Sequence, residues 1–315
     1  MTEPSPRSEE RLALARRRIL SVLTKHRVCS GRTLENKVAD AGPTHMRIDP
    51  HVITNGLRDL REAGQIRIMN RHNVHWYTLP SLSQPDIDSR LAELEPIQEA
   101  FAEHGFSMRV GQALEIALYC ALASTSALDL WGGFLDLESH GDGSLYRKEE
   151  PPSLWRGNRY LKGKLDFVVV DKQTAIAGGV EAKNTREWIY PDRKEVTELL
   201  RKCCALDLLP ILVGRRIHFT TTRLLVPRGG LVHETYNHRV PESDAQLAQR
   251  AKSKHLLGYH DIRLGNLPDA RMLAFAGRLP SLLPVARGKF EAGGRMELDA
   301  FAQGHATLAS LGLGI

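Results

Sequence analysis

Two short apolar runs, Leu165-Asp166-Phe167-Val168-Val169-Val170 and Ile176-Ala177-Gly178-Gly179-Val180, constrain this chain more than any other feature. Each is too short for an amphipathic helix and rich in β-branched residues. A polar turn, Asp171-Lys172-Gln173-Thr174, separates them, so the pattern predicts a buried β-hairpin. The hairpin nevertheless carries Asp166 inside its first run and Glu181 and Lys183 at the end of its second. Charge in such a place is costly unless it is paired. Side chains alternate along a strand, so Glu181 and Lys183 point to one face. Pairing across the turn brings Asp166 alongside Glu181, and Gly178-Gly179 permits a bulge or a close approach there.

Two acids and a lysine converging on one end of a hairpin suit metal-dependent phosphodiester hydrolysis. Carboxylates hold Mg²⁺, a hard cation that prefers oxygen ligands and keeps part of its water. The ion polarises a phosphoryl oxygen and acidifies water, while a nearby lysine orients that water or stabilises developing negative charge. The competing reading is a surface hairpin, in which Glu181 and Lys183 form an exposed pair worth under ~1 kcal/mol. The apolar density on both sides argues against it. Upstream, residues 90–104 and 108–123 read as helices. The second, within MRVGQALEIALYCALAS, is nearly all apolar with Glu115 in its middle. Glu115 either emerges at the helix edge or meets a partner.

In Asp166, in Glu181-Ala182-Lys183, and in a helical glutamate upstream, Glu115, the chain resembles the PD-(D/E)XK, or restriction-endonuclease-like, nuclease superfamily. Residues 193–206, read as a helix, and Pro210-Ile211-Leu212-Val213-Gly214, read as a strand, extend the likeness, which covers residues 97–227. It implies an α/β fold, α+β over the whole chain, with a central mixed β-sheet flanked by helices across residues 97–242. It also implies Mg²⁺-dependent nuclease activity, with Mn²⁺ able to substitute. Asp166, Glu181 and the backbone carbonyl of Ala182 would hold the metal, Glu115 would assist through water or a second metal, and Lys183 would serve the attacking water or the transition state. One departure is Leu165, which stands where the family's eponymous proline would be.

The first 80 residues are of another kind. The chain's net charge is +6, and residues 1–80 hold 14 Lys and Arg against 8 Asp and Glu, so the whole excess lies there. Such a footprint suits a polyanion. Ser8 is placed to cap a helix to His26 that buries Leu12, Ala15, Ile19, Val22 and Leu23. A second helix follows Ser30 and ends at Ala41-Gly42-Pro43. A third starts at Asp49-Pro50 and ends near Gly64, with Ile53, Leu57 and Leu60 inward. Two strands, 65–69 and 74–77, flank a turn. Three helices and a hairpin resemble a winged helix-turn-helix domain, which places one helix in the major groove and lets the wing touch the backbone. This implies contacts to double-stranded DNA from His51, Asn55, Arg58 and Arg61, and from Arg71 and His72 at the wing tip. The bland alternative is a dimerisation or protein-contact module.

Ser81-Leu82-Ser83-Gln84-Pro85-Asp86 reads as a linker, with residues 81–96 joining the two parts through a connecting helix. Beyond Lys183, Asn184 and Arg186 are candidates for phosphate contacts, and Trp188 and Tyr190 either stack on a base or cap the core. His218 and His233 lie in or beside strand-like segments and read as core or surface residues, since the sequence alone positions nothing that would make either a general base. Residues 243–315 read as a helical extension packed on the core, with helices at 244–257 and 296–310. Cys29, Cys120, Cys203 and Cys204 have no zinc-ligand or disulfide spacing, and no run approaches the roughly 18 apolar residues of a membrane span. The expectation is a cytoplasmic nuclease of restriction, phage defence or DNA repair, and a homodimer where both strands are cut. A regulator or scaffold with a silent nuclease-like domain, or a nuclease of RNA or branched DNA, are the alternatives.

Overall fold

The computed structural model describes residues 6–39, 47–138, 143–160 and 162–313. The chain divides into two compact units, Met1–Glu103 with Gln246–Asp261, and His104–Ala245 with Ile262–Ile315.

In the first unit the elements run α1 (Pro6–His26), β1 (Val28–Ser30), α2 (Gly31–Ala39), α3 (Pro50–Glu62), β2 (Arg67–Arg71), β3 (Val74–Thr78) and α4 (Gln84–Ala102). Helix α1 buries Ala15, Ile19 and Leu23, with Leu12 and Val22 half-buried. It begins at Pro6, so Ser8 lies in its first turn rather than capping it. Ser30 takes the capping role for α2, its hydroxyl accepting from the Thr33 N–H at 3.2 Å. The expected end of α2 at residues 41–43 lies outside the described residues. Asp49 is extended before Pro50, the first residue of α3, which buries Ile53 and Leu60. Strands β2 and β3 turn through His72 and Asn73, both at positive φ (50° and 59°). That is the backbone a tight hairpin needs. The three strands lie in the order β1-β3-β2, all antiparallel.

The Ser/Pro stretch before α4 is a helix start and not a linker. The Ser83 hydroxyl accepts from the Asp86 N–H, Pro85 sits in the first turn, and Ile87, Leu91, Leu94 and Ile97 are buried. Residues 246–261 also differ from the expected extension of the core. They belong to this first unit, where Asn36 donates to the Gly258 carbonyl at 3.0 Å and Phe101 meets Tyr259 edge to face at 5.8 Å.

The second unit begins with α5 (His104–Ala123), β4 (Leu128–Trp131), β5 (Gly133–Phe134), β6 (Lys148–Glu149), β7 (Leu154–Trp155) and β8 (Asn158–Arg159). It continues through β9 (Phe167–Asp171), β10 (Ala177–Lys183), α6 (Lys194–Leu206), β11 (Leu209–Gly214), α7 (Phe219–Leu225), β12 (Leu231–Glu234) and β13 (His238–Val240). After α8 (Ala245–Lys252), which from Gln246 onward belongs to the first unit, come β14 (Ile262–Leu264), α9 (Ala270–Lys289) and α10 (Arg295–Ala302). Five strands form a mixed sheet in the order β12-β11-β10-β9-β4, antiparallel from β4 to β10 and parallel from β10 to β12. The unit is thus of mixed α/β class. Strands β9 and β11 are buried along their full length, which explains the unbroken apolar runs in their sequences.

The hairpin of β9 and β10 keeps a continuous register from Ala177 opposite Val170 to Val180 opposite Phe167. Its glycines therefore serve close approach and not a bulge. A Cβ on Gly179 would lie 2.6 Å from Leu165 Cδ1 and 2.7 Å from Cys203 Sγ, and one on Gly178 would lie 2.6 Å from Ile211 Cδ1. Helix α9 occupies a stretch that two prolines, Pro280 and Pro284, disguise in sequence. Asp269 caps it by accepting from the Met272 N–H at 3.0 Å, and Met272, Phe275, Leu279 and Leu283 join the core. The last helix is accordingly shorter than residues 296–310. No helix among the described residues is long and apolar enough to cross a membrane.

Candidate active site

The site grows from the end of the β9–β10 hairpin. Just beyond the ladder, the Asp166 N–H donates to the Val180 carbonyl at 3.0 Å, and its Oδ2 accepts from the Ala182 N–H at 2.8 Å. Asp166 thus grips β10 on both sides of Glu181. The N–H and C=O of one residue in an antiparallel pair face the same neighbour, so the Ala182 carbonyl is turned toward the side from which Asp166 comes.

Glu181 and Lys183 alternate onto the face that α6 covers. Lys183 Nζ lies 2.7 Å from Glu181 Oε1. The other carboxylate oxygen, Oε2, lies 3.2 Å from Lys202 Nζ, which also donates to the Lys164 carbonyl at 2.6 Å. Glu115 comes from α5. It reaches the cluster through Lys148, whose Nζ is 2.9 Å from Glu115 Oε2 and 2.6 Å from Asp166 Oδ1. Three carboxylates and three ammonium groups thereby share one poorly solvated place, with Asp166 8%, Glu181 6% and Lys202 5% exposed.

The electrostatics follow from that crowding. Burial, and then the charge of Asp166, push the Glu115 carboxyl up to about 7, against the opposing pull of Lys148 and Lys183. Burial and Asp166 push Glu181 upward as well, with Lys183 and Lys202 opposing. Burial works against the charge on Lys183, but Glu181, Asp166 and Glu115 outweigh it and hold the ammonium above its ordinary range. Lys148 behaves likewise, its burial outweighed by Asp166 and Glu115.

The donor chemistry fits a hard divalent cation. Carboxylate oxygens from Asp166, Glu181 and Glu115 and the Ala182 carbonyl are all oxygen ligands, with no sulfur or imidazole among them. As the side chains stand, no group of three or more His, Cys, Asp or Glu among the described residues is spaced to hold a metal. Lys148 lies where Glu115 and Asp166 converge, and Lys183 and Lys202 take both oxygens of Glu181.

Two members of this cluster were not anticipated from the sequence. Lys202 had a legible signal, since it lies on the stripe of α6 with Leu199 and Leu206 and so had to be buried. Lys148 had none; it sits in the polar stretch Arg147-Lys148-Glu149-Glu150.

Other candidates are placed as follows. The Asn184 side chain is used internally, donating to the Val110 and Arg239 carbonyls at 2.6 and 2.8 Å and accepting from the Arg239 N–H at 3.1 Å. Its expected phosphate contact is therefore replaced by a structural tie. Arg186 is half-buried, and its carbonyl accepts from Arg215. Tyr190 stacks on His218 at 4.4 Å, and Trp188 meets the same ring edge to face at 6.1 Å. His233 stacks on Phe275, and burial pushes its pKa down to about 4. In the first unit His51, Arg58 and Arg61 are exposed on α3, and half-buried Asn55 accepts from Arg58 at 2.9 Å. Arg71 is exposed at the end of β2, beside the hairpin turn. It is held by Asp88 at 2.9 Å and Glu95 at 3.8 Å, and His72 lies 3.8 Å from Glu99, all three acids belonging to α4.

Comparison of the chain with family models, curated proteins and solved structures returned no match.

Proposed function

We propose that the second unit is a metal-dependent nuclease of PD-(D/E)XK type, and that the first is a winged helix that brings it to DNA. One observation carries the enzymatic half: Asp166, Glu181 and Lys183 meet at the end of one hairpin, and Glu115 joins them from the preceding helix through Lys148. The order α5, β4, β9, β10, α6, β11, with small insertions before β9, supports the reading, as does the mixed sheet.

Asp166, Glu181 and the Ala182 carbonyl would hold Mg²⁺ or Mn²⁺, with Glu115 assisting through water. When bound, such an ion supplies Lewis acidity toward a phosphoryl oxygen and lowers the pKa of water. Lys183, kept charged by its three acids, donates hydrogen bonds and does not accept a proton. Its work is to orient the attacking water and to offset negative charge on the phosphorane-like transition state. Lys202 fixes the Glu181 carboxylate from behind. Its second bond, to the Lys164 carbonyl, keeps that anchor in place.

DNA is the favoured substrate because the excess positive charge lies in residues 1–80. Arg32, Arg58, Arg61, Thr54 and Tyr77 line a depression of about 490 Å³ beside α3. The topology α1-β1-α2-α3-β2-β3, with β3 central, is the order expected of a winged helix.

The matched count of acids and lysines favours a second reading, in which the cluster is a self-neutralised structural network and the chain only binds DNA. Cleavage of supercoiled plasmid and linear duplex in Mg²⁺ or Mn²⁺ separates the two. Nicking or linearisation by the wild type that disappears in Lys183→Ala supports the enzyme. Equal gel shifts by both proteins without any cutting would overturn it.

A further inference from the structure

Lys148 reaches the carboxylates from a different kind of support than the other lysines do. Lys183 stands on the central strand β10 and Lys202 on helix α6, both within the main core. Lys148 stands on β6, a two-residue strand paired with the two-residue β5. Its Nζ passes 5.9 Å from the centroid of the Phe167 ring and ends between Glu115 Oε2 and Asp166 Oδ1. Two acidic oxygens from two separate elements thus converge on one point, and that point already holds a cation.

A divalent metal and this ammonium cannot share the position. Mg²⁺ binds carboxylate oxygen at about 2.0–2.1 Å and requires a nearly octahedral shell. The ammonium nitrogen lies 2.6 Å from Asp166 Oδ1 and covers the side of the oxygen that faces Glu115. Charge balance points the same way. With all three acids ionised, the carboxylates are matched by three ammonium groups, so adding a dication while keeping all of them leaves two uncompensated positive charges in a largely buried site. Withdrawal of one lysine reduces that excess to one. Lys148, carried by a two-residue strand rather than by the central sheet or α6, stands on the slightest framework of the three and is the lysine best able to leave.

We propose that Lys148 is a built-in competitor for the metal: its ammonium occupies the cation position between Glu115 and Asp166, and loading of a divalent ion requires it to withdraw. The proposal rests on the metal-dependent nuclease reading of the same site. It makes metal affinity a balance between two cations for the Asp166 carboxylate, with Glu115 beside it. The apparent affinity is weakened by whatever the two ion pairs of Lys148 are worth, and the site is kept neutral when metal is scarce. The competition is ionic, so a neutral side chain of similar length relieves it.

The test is isothermal titration of the full chain with MnCl₂ in the absence of nucleic acid, at fixed pH and salt. Wild type is compared with Lys148→Met, with Lys148→Gln, and with Lys148→Met combined with Asp166→Asn; circular dichroism melts establish that each is folded. Lys148→Gln keeps a hydrogen-bond donor for either carboxylate and guards against a packing defect in the methionine variant. The expected result is Mn²⁺ binding about tenfold tighter or more in both neutral variants, lost when Asp166→Asn is added. Binding at wild-type strength or weaker in both neutral variants, with Asp166→Asn still abolishing it, overturns the competitor role while leaving the nuclease reading intact. If neither wild type nor neutral variants bind Mn²⁺ at millimolar concentration, the metal-dependent reading falls and the competitor with it.

Discussion

Lys183 Nζ lies 2.7 Å from Glu181 Oε1, the two side chains being separated by a single residue on one strand. Their shared face follows from the alternation of β-structure, and their contact places an ammonium beside the acid that would carry the metal. Lys183→Met keeps most of the side-chain volume and removes the charge. It is expected to lower Mg²⁺-dependent DNA cleavage by about 10²-fold or more, the scale of one electrostatic group at a transition state. Its DNA gel shift should match the wild type. Retained cleavage in a folded variant would remove Lys183 from the chemistry.

Asp166 should control metal stabilisation. A ligand that binds only the folded state at a hundred times its Kd raises stability by about 2.7 kcal/mol. Differential scanning fluorimetry with Mn²⁺ should therefore show a rise in Tm for the wild type and none for Asp166→Asn. The asparagine keeps an acceptor for the Ala182 N–H, so the hairpin end is preserved. An equal rise in both proteins would move the metal site elsewhere.

The Glu115 shift has a definite sign in the pH dependence of stability. Its carboxyl is held up at about 7 in the folded protein, against about 4.3 in an unfolded chain. Between these values the folded state binds more protons, so this group's stabilising contribution is present at the acidic end and is lost as pH rises through the window. Thermal melts in metal-free buffer from pH 5 to 7.5 should show a steeper loss of Tm in wild type than in Glu115→Gln. Parallel profiles would contradict the assignment.

In the first unit, exposed Arg58 and Arg61 on α3 should matter more for DNA binding than Arg71, which Asp88 and Glu95 already hold. Arg58→Ala and Arg61→Ala should each weaken duplex binding and reduce the slope of log K against log salt by about 1 if each touches a phosphate. Arg71→Ala should change the slope little. Fluorescence anisotropy across a salt series measures all three, and a dominant effect of Arg71 would reverse the ranking.

Gly179 marks where the hairpin meets α6. Its missing Cβ would fall 2.6 Å from Leu165 Cδ1 and 2.7 Å from Cys203 Sγ. Gly179→Ala should destabilise the protein by about 1–3 kcal/mol through overpacking, read as a lower Tm or denaturation midpoint. An unchanged midpoint would mean that Leu165 and Cys203 yield without cost.

The amino-acid sequence by itself determined the hairpin, because two β-branched runs around a polar turn have few other ways to bury themselves. It determined the pairing of Glu181 with Lys183, because strand periodicity fixes which side chains share a face, and helix α1, because Ala15, Ile19 and Leu23 repeat at helical spacing. Local signals misled where one chemistry serves two purposes. The Ser/Pro stretch at 81–86 has the composition of a linker but works as a helix start, and Pro280 and Pro284 hid α9, whose buried face outweighs its lost backbone bonds. What only the tertiary structure decided depends on contacts between residues far apart in the chain. Asn184 is tied to Val110 and Arg239 rather than free for a phosphate, and Arg71 is held by acids of α4. Most of all, Lys148 enters the acidic cluster from a polar segment with no periodicity of its own. Its position follows from how a two-residue ladder sits against α5 and β9, and no local propensity encodes that.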